Sequence, residues 1–65
     1  MTASDRILEI RATLETAVED LTNESNAIVR EAVDRGETKR PEQIKKILQA
    51  RRAVEKAVRI LETIS

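Results

Sequence analysis

The apolar residues of this chain recur at spacings of three and four residues over two long stretches, separated by a short polar segment. This spacing predicts two amphipathic helices, since about 3.6 residues complete one helical turn. The first helix is predicted over about 3–34, the loop over 35–40 and the second helix over about 41–63. Gly36 fits the left-handed residue that ends a helix, and Pro41 fits the first position of a new one.

A loop this short makes consecutive helices antiparallel neighbours, which predicts an all-α hairpin and one domain spanning 1–65. Folding the chain about Gly36 pairs apolar positions whose numbers sum to 75 or 76. The predicted hairpin core consists of Leu14, Val18, Leu21, Ile28, Ile44, Ile47, Val54, Val58 and Leu61. The same register sets Ser25 opposite Arg51, which predicts a polar layer in the seam. Arg51 is expected to hydrogen-bond either the Glu24 carboxylate or the Ser25 hydroxyl.

The second helix is apolar on two stripes, although one neighbouring helix covers an arc of only about 100°. One stripe belongs to the core, and Ala50, Ala53, Ala57, Ile60 and Ile64 form the other. The first helix is longer by nearly two turns, so its start lies near or beyond the end of the second. The predicted partner-binding surface comprises Ile7, Leu8, Ile10, Ala53, Ala57, Ile60 and Ile64. Isolated surface apolar residues are the alternative interpretation, because such residues are common on folded proteins.

Composition strengthens the expectation of association into a larger helical assembly. The chain has 65 residues, no cysteine, no histidine and no aromatic residue, and a core of this size is marginal without staples or a partner. Absence of histidine and of a glycine-rich loop argues against an enzyme, and no cofactor or metal is expected. No signal peptide or membrane span is predicted, so we expect a cytoplasmic protein.

Charge is balanced overall but not along the chain. Residues 1–34 hold eight acids and three bases, a net charge of −5, whereas residues 35–65 hold nine bases and four acids, a net charge of +5. Nucleic-acid binding is one hypothesis, since Lys45, Arg52, Lys56 and Arg59 share a stripe and Arg35, Lys39 and Arg40 flank it. Expected ion pairs from Glu42 to Lys46 and from Glu55 to Arg59 would partly neutralise that stripe, and no aromatic residue is present to stack on bases.

The loop and second helix resemble a known family. The residues that carry the resemblance are Arg35-Gly36, Pro41-Glu42-Gln43 and the run from Gln49 to Leu61, with Arg52-Ala53-Val54-Glu55 and Ile60-Leu61. They are similar to the small co-chaperones of type III secretion needle subunits, which are bacterial two-helix hairpins of similar length. The resemblance implies a partner chaperone of tetratricopeptide-like repeats and, through it, a needle subunit kept unpolymerised before export.

Two other functions are compatible with the residues alone. A homodimer could close a four-helix bundle and require no other ligand. A hairpin dimer could instead bind RNA through the basic stripe, electrostatically and with steep salt dependence.

Overall fold

The chain forms two helices that fold back on each other as an antiparallel hairpin, as predicted. A computed structural model describes residues 3–39 and 41–64, with helix α1 at Ala3–Asp34 and helix α2 at Glu42–Glu62. The backbone measures 52 × 16 × 10 Å. The molecule is therefore a flat rod with two broad faces, each formed by both helices.

The end of α1 is closed by backbone hydrogen bonds around Gly36. The Gly36 N–H donates to the Val33 carbonyl at 2.9 Å, and the Glu37 N–H donates to the Ala32 carbonyl at 3.0 Å. Gly36 has φ of +76°, the left-handed conformation that this pair of bonds requires and that glycine adopts without a Cβ penalty. The predicted role of Gly36 is confirmed.

An ion pair bridges the turn that follows. Arg35 Nε donates to Glu37 Oε2 at 2.6 Å. This hydrogen bond and the carboxylate charge raise the pKa of Arg35 above its ordinary value. Both side chains are exposed, and such pairs contribute little to stability. Arg40, the third cation expected at the loop, lies outside the described residues.

Helix α2 begins one residue later than predicted. Pro41 is its N-cap, with φ of −57° and ψ of 141°, and Glu42 is the first helical residue. The Pro41 carbonyl accepts the first helical bond, from the Ile44 N–H at 3.0 Å. Proline suits this site because its fixed φ leads the chain into the helix, and its missing N–H would have no helical acceptor there.

The interface between the helices follows a heptad repeat, in which seam positions alternate by three and four residues. In α1 the seam positions are 7, 11, 14, 18, 21, 25, 28 and 32, and in α2 they are 44, 47, 51, 54, 58 and 61. Ile44 is fully buried and Ala32 and Val58 are nearly so. The other predicted core residues, Leu14, Val18, Leu21, Ile28, Ile47, Val54 and Leu61, are half-buried. The core is thin, because two helices cover only one stripe of each other.

A polar layer interrupts the seam, as expected, but its hydrogen bonds differ from the predicted ones. Ser25 is buried, whereas Arg51 Nη1 donates to Thr22 Oγ1 at 3.1 Å and Arg51 Nε lies 3.4 Å from Glu55 Oε1. Arg51 thus bonds Thr22 and Glu55, not Glu24 or Ser25. The physical reason is that a guanidinium is costly to bury, so Arg51 turns toward the edge of the seam, where it remains about a third exposed.

Helix α1 extends well beyond the end of α2. It has 32 residues against 21 in α2, and the 11 extra residues span about 16 Å at about 1.5 Å per residue. This overhang is about three turns rather than the predicted two, because α2 is shorter than expected at each end. The seam positions Ile7 and Arg11 lie on it.

Candidate functional site

One broad side of the hairpin carries a charged groove. Residues from both helices line it: Glu15, Val18, Glu19, Glu55, Val58, Arg59 and Glu62. Val18 and Val58 are seam positions. Each charged residue of the groove directly follows a seam position of its helix. We call this side the charged face. Because residues that directly follow a seam position lie on the charged face, residues that directly precede one lie on the opposite side.

The opposite side collects the residues that precede each seam position by one, together with their outer neighbours. At the open end of the hairpin and along α2 these residues are predominantly apolar, and we call this side the apolar face. Its members are Ile10, Ala17, Ala50, Ala53, Ala57, Ile60 and Ile64. In an antiparallel hairpin the equivalent flanks of both helices meet on one side, so the residues of α1 and α2 form a common surface.

Five of the seven predicted partner-binding residues occupy this apolar face. They are Ile10, Ala53, Ala57, Ile60 and Ile64. Ile60 and Ile64 are 55% and 59% exposed, and Ile10 is 48% exposed. Ala57 is half-buried and Ala53 is exposed. Three large aliphatic side chains thus surround a small-residue surface near the open end.

The remaining two predicted residues lie elsewhere. Leu8 and Ile10 are two positions apart on an unbroken helix, which separates them by about 200° at about 100° per residue. Leu8 therefore belongs to the charged face. Ile7 is half-buried at a seam position, on the overhang beyond α2. The predicted surface divides among the apolar face, the seam and the charged face.

Two residues of the apolar face were not among those predicted to bind a partner. Ala17 belongs neither to the predicted core nor to the predicted surface, and Ala50 belongs to the second predicted stripe of α2 but not to the predicted surface. Both occupy the same heptad position as a predicted member: Ala17 follows Ile10 by seven residues, and Ala50 precedes Ala57 by seven. The heptad register of the seam was the signal that could have identified them.

Small side chains make the middle of the apolar face shallow. The four alanines form a shallow strip between the isoleucines, with little side-chain bulk above the backbone. Interaxial distances between packed helices range over about 8–10 Å according to the side chains at the contact. Such a strip permits a partner helix to approach at the short end of that range.

Acidic residues flank the basic stripe on one side and do not interrupt it. Arg52 and Arg59 fall on the charged face, beside Glu55 and Glu62, and Arg52, Lys56 and Arg59 follow one another at spacings of four and three residues. Glu42 pairs with Lys45 at 3.7 Å rather than with the predicted Lys46, and Glu55 pairs with Arg51 rather than with Arg59. The two ion pairs therefore neutralise Lys45 and Arg51 in place of Lys46 and Arg59.

The described residues hold no cluster of three or more acidic side chains placed to bind a metal ion. Within the same ranges, neither helix has an apolar stretch of the length and hydropathy that crossing a bilayer requires. No protein-family model, curated protein or solved structure matches the chain. The apolar face is the candidate functional site because Ile10, Ile60 and Ile64 expose about half or more of their side chains on it.

Proposed function

We propose that this chain is a small cytoplasmic co-chaperone of bacterial type III secretion, which binds a chaperone of tetratricopeptide-like repeats. Through that chaperone it helps to keep a needle subunit soluble and unpolymerised before export. The chain has no enzymatic role and acts by binding alone. The sequence resemblance in the loop and α2 supplies the family and its partners.

The observation that carries the proposal is the apolar face. Ile60 and Ile64 are more than half exposed in a chain with a thin core. Ile60 lies at helical spacing with Ala53 and Ala57, and Ile64 lies in the turn that follows α2. Helical-repeat proteins present grooves that accept an amphipathic helix through anchors spaced in this way. The two isoleucines would enter pockets of the groove, and the alanines would allow close contact between the helices.

Association with such a partner would also increase the apolar surface that the hairpin buries. Among the described residues only Ser25, Ala32, Ile44 and Val58 are buried. A partner that covers the apolar face would add apolar burial, at about 25 cal/mol per Å². Binding and folding stability would therefore increase together.

The test is co-purification of the chain with the repeat chaperone and needle subunit of the same organism. In the double variant Ile60→Asp/Ile64→Asp, two carboxylates would be placed in an apolar groove. We expect affinity for the chaperone to fall at least about 30-fold, the equivalent of one central hot-spot residue or more. Isothermal titration calorimetry would measure the change.

The matched control is Val33→Asp. Val33 is 64% exposed and lies on the charged face, so its substitution should change affinity less than about threefold, as expected of a residue outside the contact. Circular dichroism of each variant would verify that the hairpin remains helical. Undiminished binding by the double variant, with the helices intact, would contradict the assigned surface.

A further inference from the structure

We infer that a second copy of this chain covers the apolar face when no other partner is present, with α1 of each copy packed over α2 of the other. The inference goes beyond the proposed function and does not depend on it. Three observations support it: the shape of the face, the charges of the two helices, and the heights at which charged residues flank the apolar strip.

The side of the rod that bears the apolar face can accommodate a second hairpin along its length. The backbone extends over 52 × 16 Å on this side, roughly 800 Å² in all, and the apolar face is a part of that area. A full overlap of two such sides would match what each partner contributes to an interface of standard size. The alanines of the apolar face lie in α1 and α2 alike. A two-fold interface brings the same patch of both chains together, so this surface must be complementary to itself.

Charge selects between the two ways in which two-fold symmetry can stack the faces. Helix α1 holds eight acids and three bases, a net charge of −5, and α2 holds six bases and three acids, a net charge of +3. An axis perpendicular to the helices would place α1 over α1 and α2 over α2, which opposes like charges. An axis parallel to the helices places each acidic α1 over a basic α2, and every helix then has antiparallel neighbours of opposite charge.

The parallel axis also fixes the height of each residue against the second copy. It leaves α1 of the second copy at the same height as α1 of the first. Residues whose numbers sum to about 74–77 therefore meet across the interface, as they do within the hairpin. Ala17 then lies at the level of Ala57 in the other copy, and Ile10 at the level of Ile64. Ala17 and Ala57 of both copies become the centre of a four-helix bundle, and Glu24, which shares the heptad position of Ala17, comes to the level of Ala50 of the second copy.

A pair of opposite charge meets at the rim in this arrangement, where Asp20 comes to the level of Lys56 of the second copy. Both side chains are exposed, and among the described residues neither forms an ion pair within the hairpin. Glu31 has the same heptad position as Ile10 and Ala17, nearer the centre of the face, and comes to the level of Lys46 of the second copy. An arrangement with α1 over α1 would instead bring acidic residues to acidic residues. Rim charges of this kind direct the orientation of partners more than they raise affinity.

The first experiment is sedimentation equilibrium of the purified full chain over a range of concentrations. We expect a monomer–dimer equilibrium, and a species that stays monomeric at all concentrations would overturn the inference. Ala57→Asp should shift the equilibrium to monomer by at least about 30-fold, because it places two carboxylates in the centre of the bundle. Ala12→Asp is the matched control, since Ala12 is exposed on the charged face and its variant should dimerise as the wild type does.

The second experiment tests the arrangement by exchanging charges. Asp20→Lys and Lys56→Asp each place like charges together twice in a homodimer, and we expect each to weaken the dimer roughly tenfold. A mixture of the two variants should form a heterodimer in which both pairs are again opposite in charge, with near wild-type affinity. Native mass spectrometry would distinguish the species by mass. A mixture without preferred heterodimers would exclude α1 packing over α2 of the second copy.

The outcome is separable from that of the proposed function, since these measurements use the chain alone. Dimerisation without any affinity for a repeat chaperone would leave the inference intact and contradict only the proposed function. Chaperone binding by a chain that never dimerises would support the proposed function and contradict the inference.

Discussion

At the scale of single residues, the polar layer shows how a charge is accommodated in a narrow seam. Arg51 occupies a seam position, yet its guanidinium reaches the edge, where it meets the Thr22 hydroxyl and the Glu55 carboxylate. Ser25 opposite is small and buried, which leaves room for the stem of Arg51. Long cationic side chains commonly cover apolar surface with their stems while the charge stays near water.

This geometry predicts unequal effects of two similar threonine substitutions. Thr22 donates to the Val18 carbonyl at 3.0 Å and accepts from Arg51, whereas Thr16 donates only to the Ala12 carbonyl, at 3.2 Å. Thr22→Val should lower the free energy of unfolding by about 1 kcal/mol, since it removes the acceptor of a charged donor. Thr16→Val should change it by less than about 0.5 kcal/mol. Urea denaturation followed by circular dichroism would compare them, and equal effects would refute a stabilising bond between the helices.

At the scale of the elements, the hairpin was readable from the sequence because local signals and periodicity agree. Apolar spacing predicted both helices, and Gly36 marked the end of α1. The bonds of Arg51 were not readable, since Glu24, Ser25, Thr22 and Glu55 all lie within reach of a long side chain. The division of the predicted surface was also missed, because it depends on which flank of each helix faces which side.

The turn offers a direct test of its left-handed backbone. A Cβ added at Gly36 would meet nothing within 4 Å, so a substitution there changes backbone strain without a steric clash. Gly36→Ala should destabilise the hairpin by about 1 kcal/mol, and Gly36→Asn by less, because asparagine tolerates positive φ.

A chain of this length can be made by chemical synthesis, which allows D-alanine at position 36 as the control. D-Alanine favours positive φ and restricts the unfolded chain, so it should be neutral or stabilise by up to about 1 kcal/mol. Thermal unfolding would rank the variants. If D- and L-alanine destabilised equally, backbone strain would not be the cause.

At the scale of the whole molecule, stability is unevenly distributed along the rod. Ala32 and Ile44 are the most buried of the apolar core, and both lie next to the loop. The overhang of α1 lies at the other end, where Leu8 and Ile10 are exposed and α1 extends beyond the end of α2. An isolated stretch of helix this short is marginal in water, since helices in proteins depend on packing of an amphipathic face.

Hydrogen exchange should reveal this gradient. Amides of residues 8–13 are expected to exchange at least about tenfold faster than those of residues 25–32, because the overhang lies outside the length of α1 that runs beside α2 and its opening costs at least about 1.4 kcal/mol less. Mass spectrometry of overlapping fragments would resolve the two segments, with intrinsic exchange rates as the reference. Any partner on the apolar face, whether a second copy or a repeat chaperone, should slow exchange over the overhang through Ile10. Equal protection of both segments in the free chain would mean that the overhang is already covered or that the hairpin opens only as a unit.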